Sequence, residues 1–111
     1  MIAIYKEDNT NLEVNLNVSE ANLSNADEFK IELLNLFNKE HKKIILNLEQ
    51  VEYIDSSFLG ALVSVLKYVI SFQSDLILVG LTKDIAGLFT LIRLDKVFKI
   101  YNNFGDVPTN Y

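Results

Sequence analysis

The 111-residue chain has no cysteine, so disulfide frameworks and every metal site built on thiolates are excluded. It has one histidine, His41, which rules out a histidine-rich metal centre and leaves a single imidazole for any catalytic base. It has one proline, Pro108, and four glycines, too few for a proline-rich linker or a glycine-rich phosphate loop. Tryptophan is absent. Basic residues are in the minority, 10 Lys and Arg against 15 Asp and Glu, a net charge of −5. That balance argues against gripping a phosphate backbone or an anionic bilayer. The longest apolar stretch, Phe58 to Phe72, is interrupted by Ser64, Lys67 and Ser71 and is too short to span a membrane. The first residues, MIAIYKEDN, lack the basic-then-apolar layout of a secretory signal. A cytoplasmic protein is the expectation.

What is present is apolar. Half of the residues are hydrophobic and 23% are charged, which fits one globular domain over residues 1–111 with a core of its own. Mean hydropathy is positive, which calls for strands buried on both faces or an apolar surface kept for a partner.

The pattern along the chain predicts alternating strands and helices. Ile2 to Lys6 reads as a strand, Asp8-Asn9-Thr10-Asn11 as a turn, and Leu12 to Val18 alternates apolar with polar residues, so an N-terminal β-hairpin is expected. A helix follows, capped by Ser24 or Asn25 with acids in its first turn. Lys43 to Leu48 and Asp75 to Val79 are short apolar runs, the mark of central strands buried on both faces. Helices are expected from Ser56 to Ser71 and from Lys83 to Ile92, and a last short strand from Val97 to Tyr101. The order β-β-α-β-α-β-α-β predicts an α/β fold: a small, mostly parallel sheet with helices packed mainly on one face.

The cluster with the most chemistry is Asp55-Ser56-Ser57, at the mouth of the most hydrophobic helix. Three readings apply. Asp55 or Ser56 can cap the helix. A nucleophilic serine would need a base in reach, yet His41 precedes the 43–48 strand at its far end, and no Gly-x-Ser-x-Gly elbow is present. A serine in the first turn can instead accept a phosphate, adding about −1.5 to −2 of charge there. Beyond it, Ser57, Gly60, Ser64, Lys67 or Tyr68, and Ser71 recur at helical spacing, a stripe of mostly small or polar residues either for solvent or for the close approach of a partner. Glu49, Glu52 and Asp55 read as a solvated loop and not as a cation site. His41, Lys42 and Lys43 read as a surface turn.

The stretch IILNLEQVEYIDSSFLGALVSVLKYV resembles the core signature of STAS domains, the anti-sigma factor antagonists and their bacterial relatives. LIRLDKVFKIYNN is similar to the family's third helix and final strand, and SEANLSNADEF to its entry into the first helix. The resemblance implies a non-enzymatic signalling module without cofactor or metal, which binds a serine kinase that doubles as an anti-sigma factor and so regulates transcription. It implies Ser57 as the phosphoacceptor, with Ser56 its neighbour. Asp55, Phe58, Gly60, Ala61, Ser64 and Asn22 would join them at the contact. It also admits a second reading, a constitutive subunit of a larger assembly such as a lipid-transport ATPase or a sensory complex, with no switch. The chain departs from the family pattern at four positions: Phe58 and Arg93 stand where glycine is usual, and Asn22 and Asn47 where acids are usual.

Overall fold

The computed structural model describes residues 1–108; Asn110 and its neighbours 109 and 111, part of the expected single domain, lie outside the described residues. The expected hairpin forms from β1 (Ile2–Glu7) and β2 (Asn11–Leu16). Its turn is set by Asp8, whose carboxylate accepts from the amides of Thr10 and Asn11, both at 2.8 Å. Those bonds, Thr10's first, hold the Asp8 carboxyl below its ordinary value. The strands pair antiparallel, with a β-bulge between Ile4 and Lys6. Along β2 the alternation is as read: Leu12, Val14 and Leu16 are buried, and the residues between them are not.

The five-stranded sheet runs β1-β2-β4-β6-β7, with β4 (Lys43–Asn47), β6 (Leu76–Val79) and β7 (Ile100–Tyr101) all parallel to β2 and to one another. β4 and β6 are the central strands and are buried on both faces, which is why they read as unbroken apolar runs. On one face Ile44, Leu46, Leu76 and Leu78 join the core contributed by the three helices α1 (Leu23–Glu40), α2 (Ser56–Ile70) and α3 (Lys83–Leu91). On the other face, among the described residues, Ile45, Ile77 and Val79 cluster with Val107, and Tyr101 and Phe104 pack against them. Tyr5, at the bulge, stacks on Phe104 with ring centres 5.3 Å apart.

Several boundaries differ from expectation. α1 starts two residues earlier than a Ser24 cap would give. Asn22 is the cap, and the first turn holds no acid. Its side-chain oxygen accepts from the Ser24 amide (2.9 Å) and hydroxyl (2.6 Å), and its own amide donates to Asn25 Oδ1 (2.9 Å). Asn25, the other expected cap, lies inside the helix as the third residue of this reciprocal capping box. The final strand is shorter than Val97 to Tyr101 because Leu94–Lys96 form a 3-10 turn first, entered through Arg93 at φ 66°. A second sheet of two short parallel strands, β3 (Glu20–Ala21) and β5 (Tyr53–Ile54), has no counterpart in the expected order. Two-residue strands carry no periodicity that a sequence could display.

Candidate functional site

β3 and β5 immediately precede α1 and α2, so their pairing sets the two helix starts side by side. Glu20 lies opposite Tyr53 and Ala21 opposite Ile54, and the Asp55 amide extends the ladder by donating to the Ala21 carbonyl at 3.0 Å. Asp55 then serves both helices. Its Oδ1 accepts from the Phe58 amide at 3.0 Å, capping α2, and its Oδ2 accepts from the Leu23 amide at 2.9 Å, the first residue of α1. One carboxylate thus satisfies orphan donors of two helices and places its charge at the positive end of both dipoles. The capping reading of the cluster holds, and the second helix is an addition that local sequence gives no sign of.

The serines are separated by this geometry. Ser56 is exposed and Ser57 half-buried, in the first turn of α2. Neither hydroxyl is held by another described residue. His41 caps the far end of α1 in the left-handed region at φ 53°, with its ring 5.7 Å from that of Phe37. It is at the opposite end of the parallel strands from Ser57, so it cannot serve that serine as a base. Among the described residues there is no acidic or histidine cluster able to hold a metal.

Phe58 and Ala61, expected at the contact, are corrected by the structure. Phe58 is fully buried, with its ring 4.5 Å from that of Phe29 on α1. Ala61 is 7% exposed. Both point inward because α2 turns its apolar side to the sheet and to α1, and residues 58, 61, 62 and 65 share that side. Gly60 is exposed and Ser64 half-exposed on the opposite stripe. Asn22, the α1 cap, is half-buried next to Asp55's second bond.

Sequence reasoning missed two surface residues. Leu23 is 74% exposed and Tyr53 is 53% exposed, and they flank the Asp55 clamp. Each stands in a segment whose pattern is otherwise unremarkable. The β3–β5 pairing and the Asp55–Leu23 bond bring together the two segments that carry them. Behind the clamp, Asn47 ends β4 by donating to Asn15 Oδ1 (2.9 Å) and accepting from the Glu49 amide (3.1 Å). Gly80 ends β6 against it, at φ +72°, with its missing side chain directed at Asn47 Oδ1. Asn22 and Asn47 therefore accept the backbone bonds that an acid could accept at those positions, without the charge, and the Asn47 side-chain amide adds a donation to Asn15 that a carboxylate could not make.

Comparison with known proteins agrees with this geometry. The family profile described as STAS domain matches residues 6–107. A candidate anti-sigma factor antagonist of Thermotoga maritima is 36% identical over 88 residues, 78% of either chain. The crystal structure of a candidate antagonist from the same organism superimposes with a TM-score of 0.82 at 31% identity, covering 95% of this chain and 89% of the other. The Bacillus cell-fate determinant SpoIIAA in its phosphorylated form shares the fold alone, with a TM-score of 0.71 at 14% identity over 96% of this chain and 95% of its own. No helix among the described residues is long and apolar enough to cross a membrane.

Proposed function

This chain belongs to the STAS domain family, and we propose from that premise that it is a regulatory protein-binding module of the anti-sigma factor antagonist type. Its docking face is the exposed start of α2, and Ser57 is the residue whose phosphorylation releases the partner, a serine kinase acting as anti-sigma factor. The observation that carries the reading is the state of Ser57: half-exposed, in the first turn of α2, with a hydroxyl that no described residue holds. A phosphate there would stand beside the Asp55 carboxylate, whose two bonds fix it in place. At the centre of a docked face such a charge is desolvated without a partner, and the penalty appears in the dissociation rate.

The buried position of Phe58 supports this reading over a constitutive subunit. A large side chain next to the acceptor would obstruct a kinase only if it pointed outward, and it packs on Phe29. The test is intact-mass and phosphopeptide analysis of the protein from its own cells, with recovery of the bound partner. Phosphate on Ser57, and a partner lost in the Ser57→Asp variant, are expected. No phosphate under any growth condition, with a partner that ignores Ser57→Asp, would overturn the switch in favour of a permanent assembly subunit.

A further inference from the structure

At the carboxyl ends of the parallel strands, Asn15, Asn47, Val79 and Tyr101 stand side by side in register across β2, β4, β6 and β7. They lie on the face of the sheet turned away from the helices, the face of Ile45 and Ile77. There Asn15, Asn47 and Val79 floor an open hollow of about 220 Å³, with Glu49, Asn102 and Asn103 at its rim and Tyr5 and Phe104 at its side. The crevice outside the carboxyl ends of the strands is where open α/β sheets hold small ligands.

Two features of this hollow depart from what folding alone favours. Asparagine is disfavoured in strands, yet two face each other here at half-buried positions of neighbouring strands. Asn47 is held firmly, by its donation to Asn15 Oδ1, by the Glu49 amide it accepts, and by Gly80, where a side chain would collide with its Oδ1. Hydrogen-bonding capacity is nonetheless left over. Among the described residues the Asn15 side-chain N–H groups, the whole Asn102 side chain and the Glu49 carboxylate have no partner. Asn103 Oδ1 accepts from the Asp106 amide at 3.1 Å, which leaves its side-chain N–H groups. The second departure is Tyr5. Ile4 pairs with Val14 and Lys6 with Glu13, so Tyr5 is the extra residue of the β-bulge, and the bulge turns its ring onto Phe104 beside the hollow.

We propose that this hollow binds a neutral sugar or cyclic polyol, its hydroxyl edge on the asparagines and Glu49 and its C–H face against Val79, Tyr5 and Phe104. A hydroxyl both donates and accepts, and so does a side-chain amide, which suits adjacent hydroxyls to a row of asparagines. A few convergent polar groups beside an apolar wall are the usual make-up of a small-molecule site. The charge selects against anions: no Lys or Arg lines the hollow, and Glu49 brings a carboxylate to it. A phosphate, sulfate or carboxylate ligand would therefore enter unpaired. Tyr5 and Phe104 stack on one another, 12° from parallel, so they give one wall and not the two faces that sandwich a nucleobase. The hollow is on the far side of the sheet from α2, so the inference does not rest on the docking face or on Ser57.

The probes are glucose, galactose, ribose and myo-inositol, each titrated to about 50 mM into the full-length 15N-labelled chain, with adenosine as a counter-probe. At least one neutral probe should give saturable shifts at the side-chain amides of Asn15, Asn47 and Asn102 and at the Phe104 backbone amide, with a Kd of about 1 mM or below. The phosphate ester of that probe should bind about tenfold more weakly or worse, and Glu49→Gln should narrow the gap. Asn102→Ala changes an exposed side chain that no described residue holds, so it should leave Tm where it is and weaken binding about tenfold. The proposal is overturned if none of the four neutral probes gives a saturable shift, or if the phosphate ester binds as tightly as its parent. It is equally overturned if adenosine binds in place of the sugars, if the shifts map to the hollow beside His41 and Phe72, or if Asn102→Ala binds like the parent. None of these outcomes bears on whether Ser57 carries phosphate, so the two readings fail separately.

Discussion

Replacing Asp55 tests the site at its centre, because one side chain is bonded to two helices. In Asp55→Ala the Phe58 amide loses its cap, which costs about 1 kcal/mol. The Leu23 amide loses its acceptor as well, but at an exposed end where water substitutes, so about 0.5 kcal/mol is the appropriate figure. Both dipoles lose a nearby carboxylate, about 0.5 kcal/mol together at a screened surface. The total is about 2 kcal/mol, or a fall of about 8 °C in Tm for a domain of this size. Asp55→Asn should fall between, at about 1 kcal/mol, because its one carbonyl oxygen can cap α2 while its amide group cannot accept from Leu23. Urea unfolding with a constant m-value measures both steps. Amide exchange at Leu23 reports the second bond directly, and Asp55→Asn should lower its protection while leaving that of Phe58 in place. Because Asn22 caps the same helix end, Asn22→Ala and Asp55→Ala should be non-additive by more than about 0.5 kcal/mol. An Asp55→Asn variant as stable as the parent, with Leu23 protection unchanged, would refute the two-helix clamp.

Other consequences follow from the packing. Phe58→Gly, which restores the residue usual in the family, should cost about 4 kcal/mol or more, since it empties the space against Phe29 and adds a helix glycine; calorimetry should show a large drop in Tm or an unfolded chain. Gly80→Ala should cost about 2–3 kcal/mol in urea unfolding, because the backbone is at φ +72° and the new Cβ meets Asn47 Oδ1. Arg93→Gly should be neutral to stabilising by about 0.5 kcal/mol, relief of the φ 66° conformation being partly offset by a freer unfolded chain. Asp8 is held below its ordinary value of 3.8, chiefly by the Thr10 amide, so the unfolded chain takes up its proton first; that stability is present above 3.8 and lost as pH falls through the folded value, and Asp8→Asn should flatten the acid limb of the urea midpoint against pH.

The sheet and three helices were legible because they rest on repeating patterns. The β2 alternation and the apolar runs of β4 and β6 each report a whole face, or two faces, of a strand. What the sequence did not disclose lies in pairs of residues far apart along the chain. Phe58 reads equally well as a surface anchor or a core residue until Phe29 is found 4.5 Å away, 29 positions earlier. Asp55 reads as a cap for the helix that it begins, and its bond to Leu23 spans 32 positions. The α1 start was misplaced for a related reason: Asn22, Ser24 and Asn25 are all good capping residues, and the choice among them is made by Glu20, whose carbonyl takes the Asn25 side-chain amide once β3 has paired with β5.

The departures from the family pattern divide along the same line. Asn22 and Asn47 change charge but keep the geometry, since an amide oxygen accepts the same backbone donors as a carboxylate. Arg93 keeps the left-handed backbone at which glycine is usual, at a local strain the domain can carry. Phe58 changes volume, and Phe29 on the neighbouring helix fills the core with it. Each substitution is accommodated by local bonds, backbone conformation or packing, and none occupies the outer surface of α2 at Ser57 and Gly60. The difference between this chain and its relatives at these four positions should therefore appear first in stability.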